Sequence, residues 1–329
     1  MGIKIGAEKK IVFLNVHKPT AVNQATVNVI GAFSTKKEVK EQLVTSIKDV
    51  TGLLESDLLY KKIQAAFTAG AQEILIFGKK VSGDEYADLF NSVTNDWFGT
   101  ITDEQDLEKI ALISKEIASR EKMLFATPLK GTEVGGSLKN SVQAITQDTT
   151  ALVFSSNEET EDASVAGYAI PQFPGSVLIA NKLINGAVDS GYSGAEQGIL
   201  KGLNCNYQAR MKGQLGLAEG VTVSGDSIDF VHCAKALKFR LEEDITLWLK
   251  ATPKPTFYDT SSLKATILKR TGQFEAMGAL VEGKTNVRLI DVADIPANDI
   301  LKGIYTGVKV TCYYTYGIKE IKMDLFFAV

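Results

Sequence analysis

Hydrophobic and polar positions change their spacing along the chain, and the changes divide it into three stretches. Near the start, Val12, Leu14 and Val16 alternate with Phe13 and Asn15 until Pro19 closes the run. That period of two predicts a strand-like arm over residues 1–22. From residue 56 the pattern alternates between helix and strand. Ser56 is a good N-cap for a helix carrying Leu58, Leu59, Ile63, Ala66 and Phe67, with Gly70 to end it. Residues 73–78 then predict a short buried strand, 84–93 a helix and 97–101 a strand. Residues 103–120 form an amphipathic helix with Leu107, Ile110, Ala111, Ile113 and Ile117 on one side. A strand at 123–127, a helix at 137–147, a strand at 150–155 and a helix at 162–170 follow. Strand and helix in such alternation predict an α/β domain with a largely parallel sheet, read here over residues 23–220.

Pro171 and Pro174-Gly175 break that rhythm, and the rest is mixed. Residues 193–202 predict a helix, and residues 206–211 and 221–223 predict strands. Two long helices follow, at 228–250 and 261–280, separated by Pro253 and Pro255. Strands at 286–290, 307–316 and 319–327 complete an α+β domain over residues 221–329, with Gly317 as a tight hairpin or kink. A last strand with Ile321, Met323 and Leu325 in alternation needs a sheet to pair with.

Composition narrows the functional classes. The chain has 329 residues, 45% hydrophobic and 23% charged, as in an ordinary globular protein large enough for two domains. The formal net charge of -3 carries no basic excess of the kind that marks nucleic-acid binding. The longest apolar runs fall far short of the roughly 20 residues of a membrane-spanning helix, and the first ten residues lack the apolar core of a secretory signal. The three cysteines, Cys205, Cys233 and Cys312, are widely spaced and read as reduced, buried thiols of a cytosolic protein.

Candidate chemistry is sparse. The chain has only two histidines, His17 in the first arm and His232 inside a helix, and each reads as structural. His232 and Cys233 are adjacent on a helix and point apart, a poor start for a Cys-His pair. No cysteine-histidine cluster predicts zinc. There is no P-loop and no dinucleotide fingerprint, and Gly191-Tyr192-Ser193-Gly194 lacks the spacing of a nucleophile elbow. Asp226 and Asp229 read as part of a turn and helix cap, with Ser227 or Asp226 as the capping residue. The acidic run from Glu158 to Asp162 reads as a solvated loop and first helical turn. The charged positions Lys235, Lys238, Arg240, Glu242 and Glu243 read either as a contact face or as a solvated helix face. No catalytic, cofactor-binding or metal-binding residue is assigned.

The order of features in the second half resembles the contractile-tail sheath proteins. Ala163 to Tyr168 followed by Phe173-Pro174-Gly175-Ser176 resembles that family's Ala-rich helix and Pro-Gly-Ser turn. Asn204, Asn206 and Tyr207 resemble its Asn-x-Asn-x-Tyr strand. Gly216, Gly220, Ser224-Gly225 and Ile228-Asp229 resemble its Gly-rich hairpin and the opening of a long helix, and Phe257-Tyr258-Asp259 resembles the turn between its long helices. The resemblance implies a subtilisin-like α/β domain without a protease triad, an inward-lying C-terminal α+β domain, and extended terminal arms that pair with sheets of neighbouring subunits. The arm strands would carry Val12, Leu14, Val16, Lys319, Ile321, Met323 and Leu325, and the C-terminal hairpin Val308, Val310, Cys312 and Tyr314. It further implies stacked hexameric rings around a tail tube protein, contacts with baseplate and tail terminator proteins, no cofactor, no nucleic acid and no membrane insertion. The particle would be a phage tail or bacteriocin-like device assembled in the bacterial cytoplasm.

Two other classes compete. One is another self-assembling phage structural protein, such as a tube or baseplate component; tube proteins are smaller and mostly β, against the strand-helix units between Asp57 and Ser155. An α/β enzyme would need a nucleophile-base pair or phosphate site that the motifs do not offer.

Overall fold

A computed structural model describes residues 26–317, apart from 82–85, 252, 253, 255 and 303. The expected arm strands at Val12, Leu14 and Val16, and at Lys319, Ile321, Met323 and Leu325, lie outside the described residues, as does His17. Along the chain run β1 (Ile30–Ser34), β2 (Val39–Val44), α1 (Leu58–Ala69), β3 (Ile74–Gly78), α2 (Tyr86–Asn91), β4 (Gly99–Thr102), α3 (Leu107–Ser119) and β5 (Met123–Ala126). Next come α4 (Leu138–Gln143), β6 (Thr150–Phe154), α5 (Glu161–Ala169), α6 (Gly194–Gly202), β7 (Asn206–Met211) and β8 (Gln214–Leu217). Then follow α7 (Ile228–Lys250), α8 (Phe257–Ala276), β9 (Asn286–Arg288), α9 (Ala297–Leu301) and β10 (Lys309–Thr311).

Eight strands form one sheet in the order β2-β3-β1-β4-β5-β6-β7-β8. The six inner strands are parallel, and β2 and β8 close the edges antiparallel. Helices cover both faces, so β3, β5 and β6 are nearly continuous apolar runs, while β4 and β7 bury polar residues such as Thr100, Thr102, Asn206 and Gln208. Ile74 and Ile76 point to one face and Leu75 and Phe77 to the other; Met123 and Phe125 likewise oppose Leu124 and Ala126. One face packs on α1 and α5 through Leu59, Ile63, Ala66, Val165 and Ala166. The other packs on the helices α2, α3, α4 and α6 through Leu89, Ile110, Ile113, Leu138 and Leu200. The α1–α5 crossing depends on a missing side chain. A Cβ on Gly167 would sit 2.3 Å from Ala66 O, far inside van der Waals contact.

Several expectations shift. The strand at Ile74–Gly78 is the third strand of the sheet, because β1 and β2 precede it and β1 lies between β3 and β4. Helix α1 starts after Asp57, one residue later than the Ser56 cap, and α3 starts after Asp106. The Asp106 carboxylate accepts from the amides of Glu108 (2.8 Å) and Lys109 (3.3 Å). Residues 221–223 form no strand. Val221 makes a single bridge to Ser227, and the partner of β7 is β8. The turn between β7 and β8 is Lys212-Gly213, both at positive φ, the two-residue geometry that suits a tight hairpin. Helix α8 begins at Phe257, four residues before the expected Ser261, with Thr256 Oγ1 accepting from Asp259 N. Phe257-Tyr258-Asp259 is therefore the first turn of a helix.

Helices α7 and α8 pack on each other through Ala236, Leu237, Leu241, Leu263 and Ile267, and Arg270 binds Asp244 through two bonds of 2.7 and 2.8 Å. The start of α7 also joins the large sheet, where Ile228 and Val231 enter the core under α1 and α5. Strands β9 and β10 form a separate antiparallel pair, with Lys309, Val310 and Thr311 opposite Arg288, Val287 and Asn286.

Candidate functional site

In open α/β sheets ligands settle outside the carboxyl ends of the strands, where the strand order reverses. Here that point lies between β1 and β4, and its polar groups are spent on each other. Asp103 accepts from Ser34 Oγ (2.5 Å) and Thr35 N (3.0 Å), and Lys36 Nζ donates to Asp103 O at 2.8 Å. Behind it, Lys62 on α1 is fully buried and donates to Asp162 Oδ2 (2.7 Å) and to Thr102 O (2.9 Å). Burial pushes the Asp162 carboxyl upward, against the pull of Lys62.

The acidic run at the start of α5 is thus not a solvated turn. Glu161 and Asp162 are 1% and 0% exposed, because this turn is tucked beneath the ends of β5 and β6. Asp162 N donates to Thr127 Oγ1 at 2.9 Å, and Glu161 Oε1 accepts from Val188 N at 2.9 Å. Glu161 Oε2 has no hydrogen-bond partner among the described residues. Burial, helped by the charges of Glu158 and Asp162, pushes the Glu161 carboxyl up to about 7. Sequence reasoning missed this cluster, since the run from Glu158 to Asp162 shows nothing apolar to signal burial.

His232 is 3% exposed, its Nε2 lies 3.2 Å from Val27 O, and its ring stacks on Phe98 with centroids 5.0 Å apart. Burial drives its pKa down to about 4, so the ring is neutral at neutral pH. Cys205 and Cys233 are buried and their thiols are pushed up to about 12, far from the reactive thiolate. Among the described residues no group of three or more metal-ligating side chains is assembled, and no helix is long and apolar enough to cross a membrane.

Asp226 and Asp229 do not act as a pair. Ser227 is the N-cap of α7, as expected, but its hydroxyl makes no capping bond. Asp229 is buried, and its Oδ2 accepts from the Tyr314 hydroxyl. Burial and the Asp229 carboxylate both push the Tyr314 phenol well above its ordinary range. The charged positions along α7 are largely paired. Lys238 bonds Glu121 and lies 3.8 Å from Glu242, and Arg240 binds Glu243 at 2.8 Å.

Of the hairpin residues, Val308 is exposed on the approach to β10, while Val310, Cys312 and Tyr314 are half-buried against the α7–α8 core. Among the described residues no third strand pairs with either side of β9–β10. A cleft of about 150 Å³ beside Leu178, Ser227, Phe230 and Tyr316 is smaller than the roughly 300 Å³ at which small-molecule sites begin.

A largely parallel sheet sandwiched by helices, two long packed helices and a small two-stranded sheet are the parts of this fold. Solved structures carry that fold over almost the whole chain. The helical sheath of the anti-feeding prophage in its contracted state matches with a TM-score of 0.68 at 13% identity, over 97% of this chain and 99% of that one. A chain of the anti-feeding prophage baseplate in its contracted state matches with a TM-score of 0.72 at 12% identity, over 99% and 98%. No protein-family profile matches the sequence. No curated protein matches it either.

Proposed function

We propose that this chain is a sheath subunit that polymerises as stacked hexameric rings around a tail tube and contracts to drive the tube through a target envelope. The observation that carries this is the end-to-end correspondence of its fold with a helical sheath subunit. A second support is the two-stranded β9–β10 sheet, which no third strand joins among the described residues and which suits strand addition. In this reading residues 1–22 and 319–329 are the added strands, with Val12, Leu14 and Val16, and Ile321, Met323 and Leu325, fixing the register. Residues 23–220 form the subtilisin-like α/β domain and residues 221–329 the domain facing the tube. Partners at the tail ends are baseplate and terminator proteins, and the particle is a phage tail or bacteriocin-like device built in the bacterial cytoplasm.

The work is mechanical. Contraction is a rigid-body rearrangement of subunits from a strained extended helix to a more stable short one, with the energy stored at assembly and no nucleotide consumed. Heterologous contacts repeated around each ring carry the change along the tube. Deleting residues 319–329 should leave a folded subunit, by circular dichroism, that no longer sediments as polymer. Polymer formed by the truncated chain at the wild-type level would overturn the arm model.

A further inference from the structure

Two segments lead out of the described body, one through Thr26 and Val27 toward residues 1–25, the other through Tyr314 to Gly317 toward residues 318–329. Both are held by the opening of the same helix. His232 meets the Val27 carbonyl, and Asp229, three residues earlier, accepts the Tyr314 hydroxyl. Residues three and four apart share a helix face, so Asp229, His232 and Cys233 address both exits from one side of α7. Phe230 adds ring contacts to Tyr314 (5.1 Å) and Tyr316 (6.1 Å). Val27, Cys233, Cys312 and Tyr314 belong to one apolar cluster.

Each exit has a second tie. Thr26 N donates to Asp96 Oδ2 at 3.2 Å, and Asp96 is also ion-paired with Lys122. On the other side Val281 N donates to Tyr313 O (2.8 Å) and Thr315 N to Ala279 O (3.0 Å). Gly317 lies so close to Leu178 that an added Cβ would come within 2.9 Å of it. Gly317 therefore serves close packing rather than a positive-φ turn.

We infer that the first turns of α7 are a joint that couples the two exits, so that displacing the segment at Val27 loosens the segment at Tyr314 and the reverse. The helical turn is rigid through its own backbone bonds, and a shift of its axis moves Asp229 and His232 together. The joint is also under-bonded. Asp229 Oδ1 is buried without a partner among the described residues. Asn206, by contrast, bonds Leu152 O, Val221 O and Val221 N with its one amide. Among the described residues the joint thus rests on one side-chain hydrogen bond to each exit rather than on a saturated network. The use of this joint rests on the sheath reading, in which both segments link to neighbours and a pull on one link is passed inside the subunit to the other.

Amide hydrogen exchange on the unassembled full-length protein tests the coupling, so its failure is separable from failure of the sheath reading. His232→Phe keeps a ring against Phe98 and removes the bond to Val27 O. Tyr314→Phe removes only a hydroxyl. Each variant should speed exchange about tenfold in residues 26–29 and also in residues 313–317, the loss expected for one hydrogen bond, with β3 and β5 unchanged. Acceleration confined to the mutated side would overturn the joint. Should His232→Phe not fold, Tyr314→Phe alone decides.

Discussion

Glu161 and His232 both titrate outside their ordinary ranges, and in opposite senses. The fold favours the protonated Glu161, whose pKa of about 7 lies above the 4.5 of an exposed glutamate. Its contribution is complete below pH 4.5 and is lost as pH rises through 7. The neutral His232 is favoured, with about 4 against 6.5, so its contribution is complete above pH 6.5 and is lost as pH falls through 4. Each shift corresponds to about 3 kcal/mol. Between pH 4.5 and 6.5 the two trends oppose each other and the intact protein should show little net slope from them. Glu161→Gln should gain on the wild type progressively from pH 4.5 to 7, and His232→Phe should gain on it from pH 6.5 down to 4. Urea unfolding across that range reads both; variant curves parallel to the wild type would contradict the assignment. The role of His232 was legible in the sequence because Val231 and Cys233 flank it with apolar positions. The burial of Glu161 was not, because it follows from where α5 is docked and not from its own neighbours.

At the scale of elements, the α1–α5 crossing is set by backbone proximity rather than by side-chain size. Gly167→Ala places a methyl against Ala66 O and Ala66 Cα, both backbone atoms that cannot step aside. A loss of about 1–3 kcal/mol, or more, is expected in thermal or urea unfolding, and an unchanged midpoint would show that the helices part freely. The strong periodic elements, α1, α3, β5, β7 and α7, were readable because their spacing is clean and their ends are marked. Three strands were not. Strand β1, Ile-Gly-Ala-Phe-Ser, is covered on both faces, so no alternation survives, and Gly31 interrupts it. Strand β2, Val-Lys-Glu-Gln-Leu-Val, is a half-exposed edge whose middle is polar. Strand β8 is four residues with a glycine inside. These are the strands whose identity comes from pairing partners far away in sequence.

For the whole molecule, the first turns of α7 meet both chain exits, and β9–β10, which no third described strand joins, packs against the same α7–α8 core. The class of fold was legible from the order of modest features between Ala163 and Asp259, none of which is decisive alone. The closed state of the strand-end crevice was not legible, since Lys62, Asp103 and Asp162 look like ordinary surface charges until the chain brings them together. The measurement that reaches the central claim most directly is electron microscopy of the full-length protein at high concentration. Hollow, striated tubes of uniform diameter with six subunits per ring are the predicted result. Closed particles, or ordered assemblies of another symmetry, would contradict it.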